Sequence, residues 1–233
     1  MTYILGSKCI DGIVMIADKK ITIEGGTEYE YDNKLFCDIK NIIIGFSGSR
    51  SSFYLFKNGI SESLTHYKNA YKEEPSIHKI IEIISEISYK YYDKYGRRFD
   101  SFDSLIGISG KRLIKSPSAL YYFYNDGRME PVLRYKSIGS GAPYASIFLK
   151  KIWKENMTMK QNAELAYFLI KYIEKFELDF TVGVNNHQPQ IWYLPNNGES
   201  YELSENEIRE FETTTQDKIK KINKFIGKFW NNI

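Results

Sequence analysis

Thr2-Tyr3-Ile4-Leu5-Gly6-Ser7-Lys8-Cys9 and Gly12-Ile13-Val14-Met15-Ile16-Ala17, followed at once by Asp18, open the chain. Both runs are rich in Ile and Val, and an Asp-Gly turn signal separates them, so 2–9 and 12–17 are predicted strands. The same composition marks 34–38 and 41–47 as strands. Apolar steps of three and four then take over: Phe53, Leu55-Phe56, Ile60, Leu64, Tyr67 and Tyr71, and after Pro75, Ile77, Ile80-Ile81, Ile84, Ile87 and Tyr91. That period predicts two successive helices.

Strands resume at 104–108, 113–114, 119–124 and 132–138, punctuated by Ser109-Gly110 and Asp126-Gly127. Helices are expected over 143–153 and 158–176, the second capped by Thr158. A final hairpin is expected to join 180–184 to 190–193 around Asn185-Asn186. The last helix starts at Ser204, with Glu207 in capping-box position. Two sheets packed face to face with helices outside would bury this order of elements.

The 233 residues are 42% hydrophobic, enough for one large core. Residues 1–200 are expected to form a single domain. Residues 201–233 are expected to form an amphipathic helix packed on that domain or on a neighbouring subunit. The 32 Lys and Arg nearly balance the 29 Asp and Glu, leaving a net charge of +3, which makes no case for nucleic acid. The basic run Lys218, Lys220, Lys221, Lys224 and Lys228 reads as a solvated helix face. Cys9 and Cys37 read as buried thiols of a reducing compartment, with a disulfide between them left open. No signal peptide precedes Thr2, and no apolar stretch approaches the roughly 20 residues a membrane span needs. A cytoplasmic protein without membrane contact is expected. His66, His78 and His187 are scattered, so neither a metal site nor a cofactor is expected.

Removing Met1 would place a hydroxyl and a free α-amine on Thr2. The amine titrates near pH ~8, so at neutral pH a useful fraction can take the proton from its own Oγ. Asp18 and Lys34 both lie at strand boundaries, where side chains can converge on a cleft. A Lys near Thr2 would favour deprotonation of the amine and hydroxyl, and a carboxylate beside it would keep it charged and aimed. The run Ile42-Ile43-Ile44-Gly45-Phe46-Ser47-Gly48-Ser49 breaks at small residues, and the Gly48 N–H is a candidate oxyanion donor.

In this order and spacing the chain resembles the proteasome β subunits and their bacterial relatives among the N-terminal-nucleophile hydrolases. The resemblance is carried by Thr2, Gly6, Ala17-Asp18-Lys19-Lys20-Ile21-Thr22, Lys34-Leu35-Phe36 and Ser47-Gly48. Ile138-Gly139-Ser140-Gly141-Ala142-Pro143 is similar to the family's Gly-Ser-Gly segment, whose serine supports the nucleophile. Ser140 takes that role by match. Met157-Thr158 at the start of a long helix extends the similarity over roughly 2–195. The resemblance implies an α+β fold, a four-layer αββα sandwich of two antiparallel sheets flanked by helices. The catalytic set it implies is Thr2, Asp18, Lys34, Gly48 and Ser140. By the same match Ile21, Thr22, Asp32, Phe46 and Arg50 line a pocket, shallow because Phe46 is bulky.

One departure from the family pattern is plain. The family follows the helix after Met157-Thr158 with a Ser-Gly-Gly-type loop bearing a supporting Asp and Ser. Here the stretch reads Lys171-Tyr172-Ile173-Glu174-Lys175-Phe176-Glu177-Leu178-Asp179. Asp179 matches a later aspartate, and the earlier supporting pair is not evident.

Three readings follow from the resemblance. One is a threonine peptidase in a ring-shaped homo-oligomer, or one built with other proteasome-like subunits, acting on peptides or unfolded proteins. The second is an amide ligase or transpeptidase using the same Thr2. The third is a catalytically silent ring or scaffold subunit. Each residue also has a plainer alternative: Asp18 as a strand-end turn former, Lys34 as a surface ion-pair partner, Gly48 as a turn glycine, and Ser140 as the N-cap of the helix behind it.

Overall fold

The computed structural model describes residues 2–22, 29–95, 102–109, 118–124, 128–184, 187–197 and 199–230. Among these residues the strands, in chain order, are β1 (Ile4–Cys9), β2 (Gly12–Ala17), β3 (Lys20–Thr22), β4 (Tyr29–Tyr31), β5 (Leu35–Ile39), β6 (Ile42–Gly48), β7 (Phe102–Ser109), β8 (Ser118–Phe123), β9 (Met129–Pro131), β10 (Tyr135–Ile138), β11 (Gln190–Pro195) and β12 (Tyr201–Glu202). The helices are α1 (Arg50–Tyr71) and α2 (Ile77–Tyr95), between β6 and β7; α3 (Ala142–Ile152) and α4 (Met159–Lys175), between β10 and β11; and α5 (Glu205–Trp230), after β12.

The strands build two five-stranded antiparallel sheets, ordered β10-β1-β2-β11-β12 and β5-β6-β7-β8-β9, with β3 and β4 as a separate two-stranded ribbon. The β1–β2 hairpin pairs Ile4 with Ala17 and Cys9 with Gly12. All six residues of β2 are buried, and their alternation sorts them into two cores. Ile13, Met15 and Ala17 face the other sheet, where they meet Ile43, Leu105 and Leu120. Val14 and Ile16 face α3, α4 and α5 through Leu149, Ala166 and Phe211. A third core lies between the second sheet and α1 with α2. Phe46 and Phe53 stack there at 4.0 Å, and Phe56 and Phe123 at 4.6 Å. Three apolar layers between four structural layers make the α+β, αββα sandwich.

Local chemistry sets the helix ends. Thr158 accepts the Gln161 N–H while the Gln161 side chain accepts the Thr158 N–H, a complete capping box. Ser204 and Glu207 repeat the device at the start of α5. α5 packs on α4 through Ile208, Phe211 and Ile219. Lys160–Glu210 and Lys218–Glu164 ion pairs join the two helices. The side chains of Phe225, Ile226 and Trp230 lie outside the described residues.

Several expectations change. The ribbon β3–β4 was not anticipated. The strand expected at 113–114 and the turn at Asn185-Asn186 lie outside the described residues. The expected 132–138 strand is confined to β10. The 180–184 segment is no strand: β11 pairs with β2 and β12 instead. The N–H groups of Gly183 and Val184 are taken by carboxylates rather than by a neighbouring strand. Cys9 and Cys37 are free and half-buried, packed against different cores, so no disulfide joins them. No helix among the described residues is long and apolar enough to cross a membrane.

Candidate active site

Asp18 is the first residue beyond β2, and Lys34 the last before β5. Both are buried, at 0% and 2% exposure. Asp18 Oδ1 accepts Lys34 Nζ at 2.7 Å and the Tyr3 N–H at 2.8 Å, and Oδ2 accepts the Gly183 N–H at 3.3 Å. Lys34 Nζ donates further to the Lys20 carbonyl at 2.5 Å. A buried ion pair is tolerable only when further hydrogen bonds support it, and here Asp18 has two N–H donors and Lys34 a carbonyl besides each other. Burial pushes the Lys34 ammonium below its ordinary value, opposed by Asp18 and more weakly by Asp179. Burial pushes the Asp18 carboxyl up, opposed by Lys34 and the two N–H donors. The two proton affinities therefore lie closer together than in water.

Gln190, at the head of β11, fixes the backbone of Lys34. Its Oε1 accepts the N–H of Lys34 at 2.6 Å and of Leu35 at 3.0 Å, while its Nε2 donates to the Leu35 carbonyl at 3.2 Å.

Thr2 is 4% exposed and is joined to this pair through its neighbour. Besides the Tyr3 N–H bond to Asp18, the Tyr3 carbonyl accepts the Asp18 N–H at 3.1 Å. The Thr2 carbonyl accepts the Gly141 N–H at 3.3 Å. Gly139, at φ +90°, passes so close that a Cβ there would sit 2.0 Å from the Thr2 carbonyl oxygen and 3.1 Å from Ser47 Oγ. Only glycine meets both demands. The approach brings Thr2, the 139–141 turn and the Ser47–Gly48 end of β6 to one place. Gly48 is exposed, at φ +114°, and immediately precedes Ser49, the N-cap of α1.

Ser140 is no N-cap. Gly141 occupies that position for α3 without a side-chain bond, and Ser140 Oγ lies 3.0 Å from Thr181 Oγ1. Thr181 Oγ1 and N–H donate to Asp179 Oδ1 at 2.5 and 2.9 Å. Burial raises the proton affinity of Asp179, but the Thr181 and Ser140 hydroxyls with the Thr181 N–H outweigh it and hold the carboxyl below its ordinary value. Asp179 and Thr181 thus give Ser140 a hydroxyl and carboxylate partner where the sequence showed no Asp and Ser pair.

The structure brings Thr2, Asp18, Lys34 and Ser140 together, with Gly48 on the adjoining strand end. Phe46 donates its N–H to the Lys34 carbonyl at 3.3 Å, while its ring stacks on Phe53 in the helix-side core. On β6 its parity is that of Ile42 and Ile44, so its ring lies on the α1 side of the sheet, against Phe36 as well as Phe53. Asp32 and Arg50 pair with each other at the surface. Thr181, Gly183 and Gln190 were not anticipated. A sequence signal existed only for Thr181, two residues beyond Asp179. An open groove of about 680 Å³ lies elsewhere, between α4 and α5, with Tyr167, Glu174 and Thr215 in its wall. Among the described residues no three His, Cys, Asp or Glu gather as metal ligands.

The profile of the proteasome subunit family matches residues 2–179. The chain belongs to the proteasome subunit family. No curated protein matches it at a significant level. This proteasome-family chain is β-subunit-like and falls in the N-terminal-nucleophile hydrolase superfamily. The match takes in Thr2, Asp18, Lys34, Gly48, Ser140 and Asp179. Thr181, Gly183 and Gln190 lie beyond it and enter the site through the structure alone.

Proposed function

We propose that this proteasome-family chain is an N-terminal threonine hydrolase that cleaves peptide bonds through an acyl-enzyme on Thr2 once Met1 is removed. The observation that carries the reading is the buried Asp18 carboxylate, whose Oδ1 binds both Lys34 Nζ and the Tyr3 N–H. One oxygen ties the residue after Thr2 to a cation.

In the reaction, Thr2 Oγ attacks an amide carbonyl while its proton passes to the Thr2 α-amine. The Lys34 charge favours the neutral amine and the developing alkoxide, and the Gly48 N–H receives the oxyanion. Collapse breaks the C–N bond, and the ammonium returns the proton to the leaving amine. Water then attacks the ester, giving its proton to the amine, and release of the acid restores the Thr2 hydroxyl. Ser140, linked through Thr181 to Asp179, orients the α-amine. Ring assembly with copies of itself or with other proteasome subunits completes the reading, supported by family membership.

Intact mass before and after incubation with a β-lactone tests the chemistry. Expected are loss of Met1, a single adduct mapped to Thr2, and no adduct on Thr2→Ala. Retained Met1 with no adduct would leave a silent subunit. Native mass spectrometry tests assembly: a ring of copies alone is a multiple of the chain's mass, 27.3 kDa with Met1, and a monomer both alone and with other proteasome subunits added would overturn that part.

A further inference from the structure

The 179–184 segment supplies both Thr181 to Ser140 and the Gly183 N–H to Asp18, yet it has no ladder partner to hold it. Besides Asp18, Lys20 and Glu174 do so instead. From the ribbon side, Lys20 donates its N–H to the Gly183 carbonyl at 3.1 Å and its Nζ to the Phe180 carbonyl at 2.5 Å. From the helix side, Glu174 Oε1 accepts the Val184 N–H at 2.8 Å, and Oε2 meets Lys171 Nζ at 3.0 Å. The carboxylate also abuts Gly183: a Cβ on that glycine would lie 2.8 Å from Glu174 Oε1.

Glu174 occupies the last turn of α4, where the helix dipole disfavours a negative side chain. The part-buried i,i+3 pair with Lys171 does not by itself explain an acid there, because Lys N-terminal to Glu is the less favourable order for such a pair on a helix. The bond to Val184 does explain it. Resting on the threonine-hydrolase reading, we infer that Glu174 is a positioning residue. By fixing the Val184 N–H it aims the preceding Gly183 N–H at Asp18 Oδ2 and so helps keep the Asp18–Lys34 pair ionised.

Without the Gly183 bond the buried carboxyl gains proton affinity, and the ammonium it supports gives up its proton at lower pH. Glu174→Ala should therefore slow β-lactone acylation of Thr2 by up to about 100-fold, the scale of a displacement of about 1 Å in a site. It should also move the alkaline limb of the pH–rate profile to lower pH. Glu174→Gln keeps an oxygen for Val184 and should restore most of the rate. Lys171→Ala should leave the rate and profile unchanged. Gly183→Ala, which drives a methyl into Glu174 Oε1, should shift the limb in the same direction and serves if Glu174→Ala does not fold.

An unshifted limb in Glu174→Ala, or a Gln variant as slow as the Ala variant, overturns the inference. If the wild-type chain takes no adduct, the hydrolase reading fails by itself. The positioning role is then decided by the Gly183 and Val184 amide signals: a selective loss of hydrogen-exchange protection in Glu174→Ala but not Glu174→Gln supports it, and unchanged protection overturns it.

Discussion

At one end of the β1–β2 hairpin, Asp18 and Lys34 are buried as ions. At the turn end of the same hairpin, Ser7, Asn162, Trp153 and Cys9 are gathered as neutral groups. Ser7 Oγ accepts the Trp153 indole N–H at 2.9 Å and donates to Asn162 Oδ1 at 3.1 Å, and Asn162 Nδ2 meets Cys9 Sγ at 3.2 Å. The neutral cluster joins α3 and α4 to the sheet with every proton directed at an acceptor. The ionic cluster could have been built the same way, and buried ions carry desolvation costs that neutral groups avoid. Fixing secondary structure does not require charge at that position. Proton chemistry beside Thr2 does, and on the proposed reading the ionic end is kept for it.

The largest expected effect comes from Lys34→Ala. It leaves Asp18 buried beside two N–H donors alone, so stability should fall by about 3–5 kcal/mol, measured by urea unfolding, and Thr2 acylation should vanish from the molecules that remain folded. A Lys34→Ala protein that acylates normally would dissolve the contrast between the two ends.

Asn162→Ala attacks the other end. Ser7 and Cys9 lose a shared partner in the interior, and a loss of about 1–3 kcal/mol is expected, with acylation per folded molecule unchanged. A parallel fall in acylation would mean that the two clusters act as one.

The positions of Asp18, Lys34 and Ser140 were legible because each sits at an element boundary in a recognisable order. Gln190 was not, because it acts on the Lys34 backbone 156 residues away, and nothing about a Gln at the head of a strand announces which carbonyl it will meet. The apolar alternation Phe180, Val182, Val184 read as a strand because period reports side chains. It is silent about N–H groups, and those of Gly183 and Val184 had been claimed by Asp18 and Glu174. Motif order placed Phe46 by the site, where its N–H meets the Lys34 carbonyl, and only its parity with Ile42 and Ile44 told that its ring points to the helices.

A pH series sharpens the comparison further. The folded Asp179 carboxyl lies below its ordinary value, so it contributes stability above the usual carboxylate range, and that contribution is lost as pH falls through the lowered value. The stability difference between wild type and Asp179→Asn should accordingly be widest near neutrality and shrink in acid. A difference that grows on acidification would place Asp179 in another environment.

The smallest effect belongs to the neutral end. Burial pushes the Cys9 thiol up to about 12, against a smaller downward pull from the Asn162 N–H. At pH 8 the folded protein should show little carboxymethylation of Cys9 by iodoacetate and full modification in denaturant. Rapid labelling of the native chain would break the picture of a cluster closed to charge.

Gln190 has a mechanical meaning as well. It belongs to one sheet and grips three backbone atoms at the edge of the other, so it works as a rivet through both plates. Its hole is drilled at Lys34. Any shear that slides one plate over the other loads that rivet, and the first side chain to feel the slip is the ammonium beside Asp18.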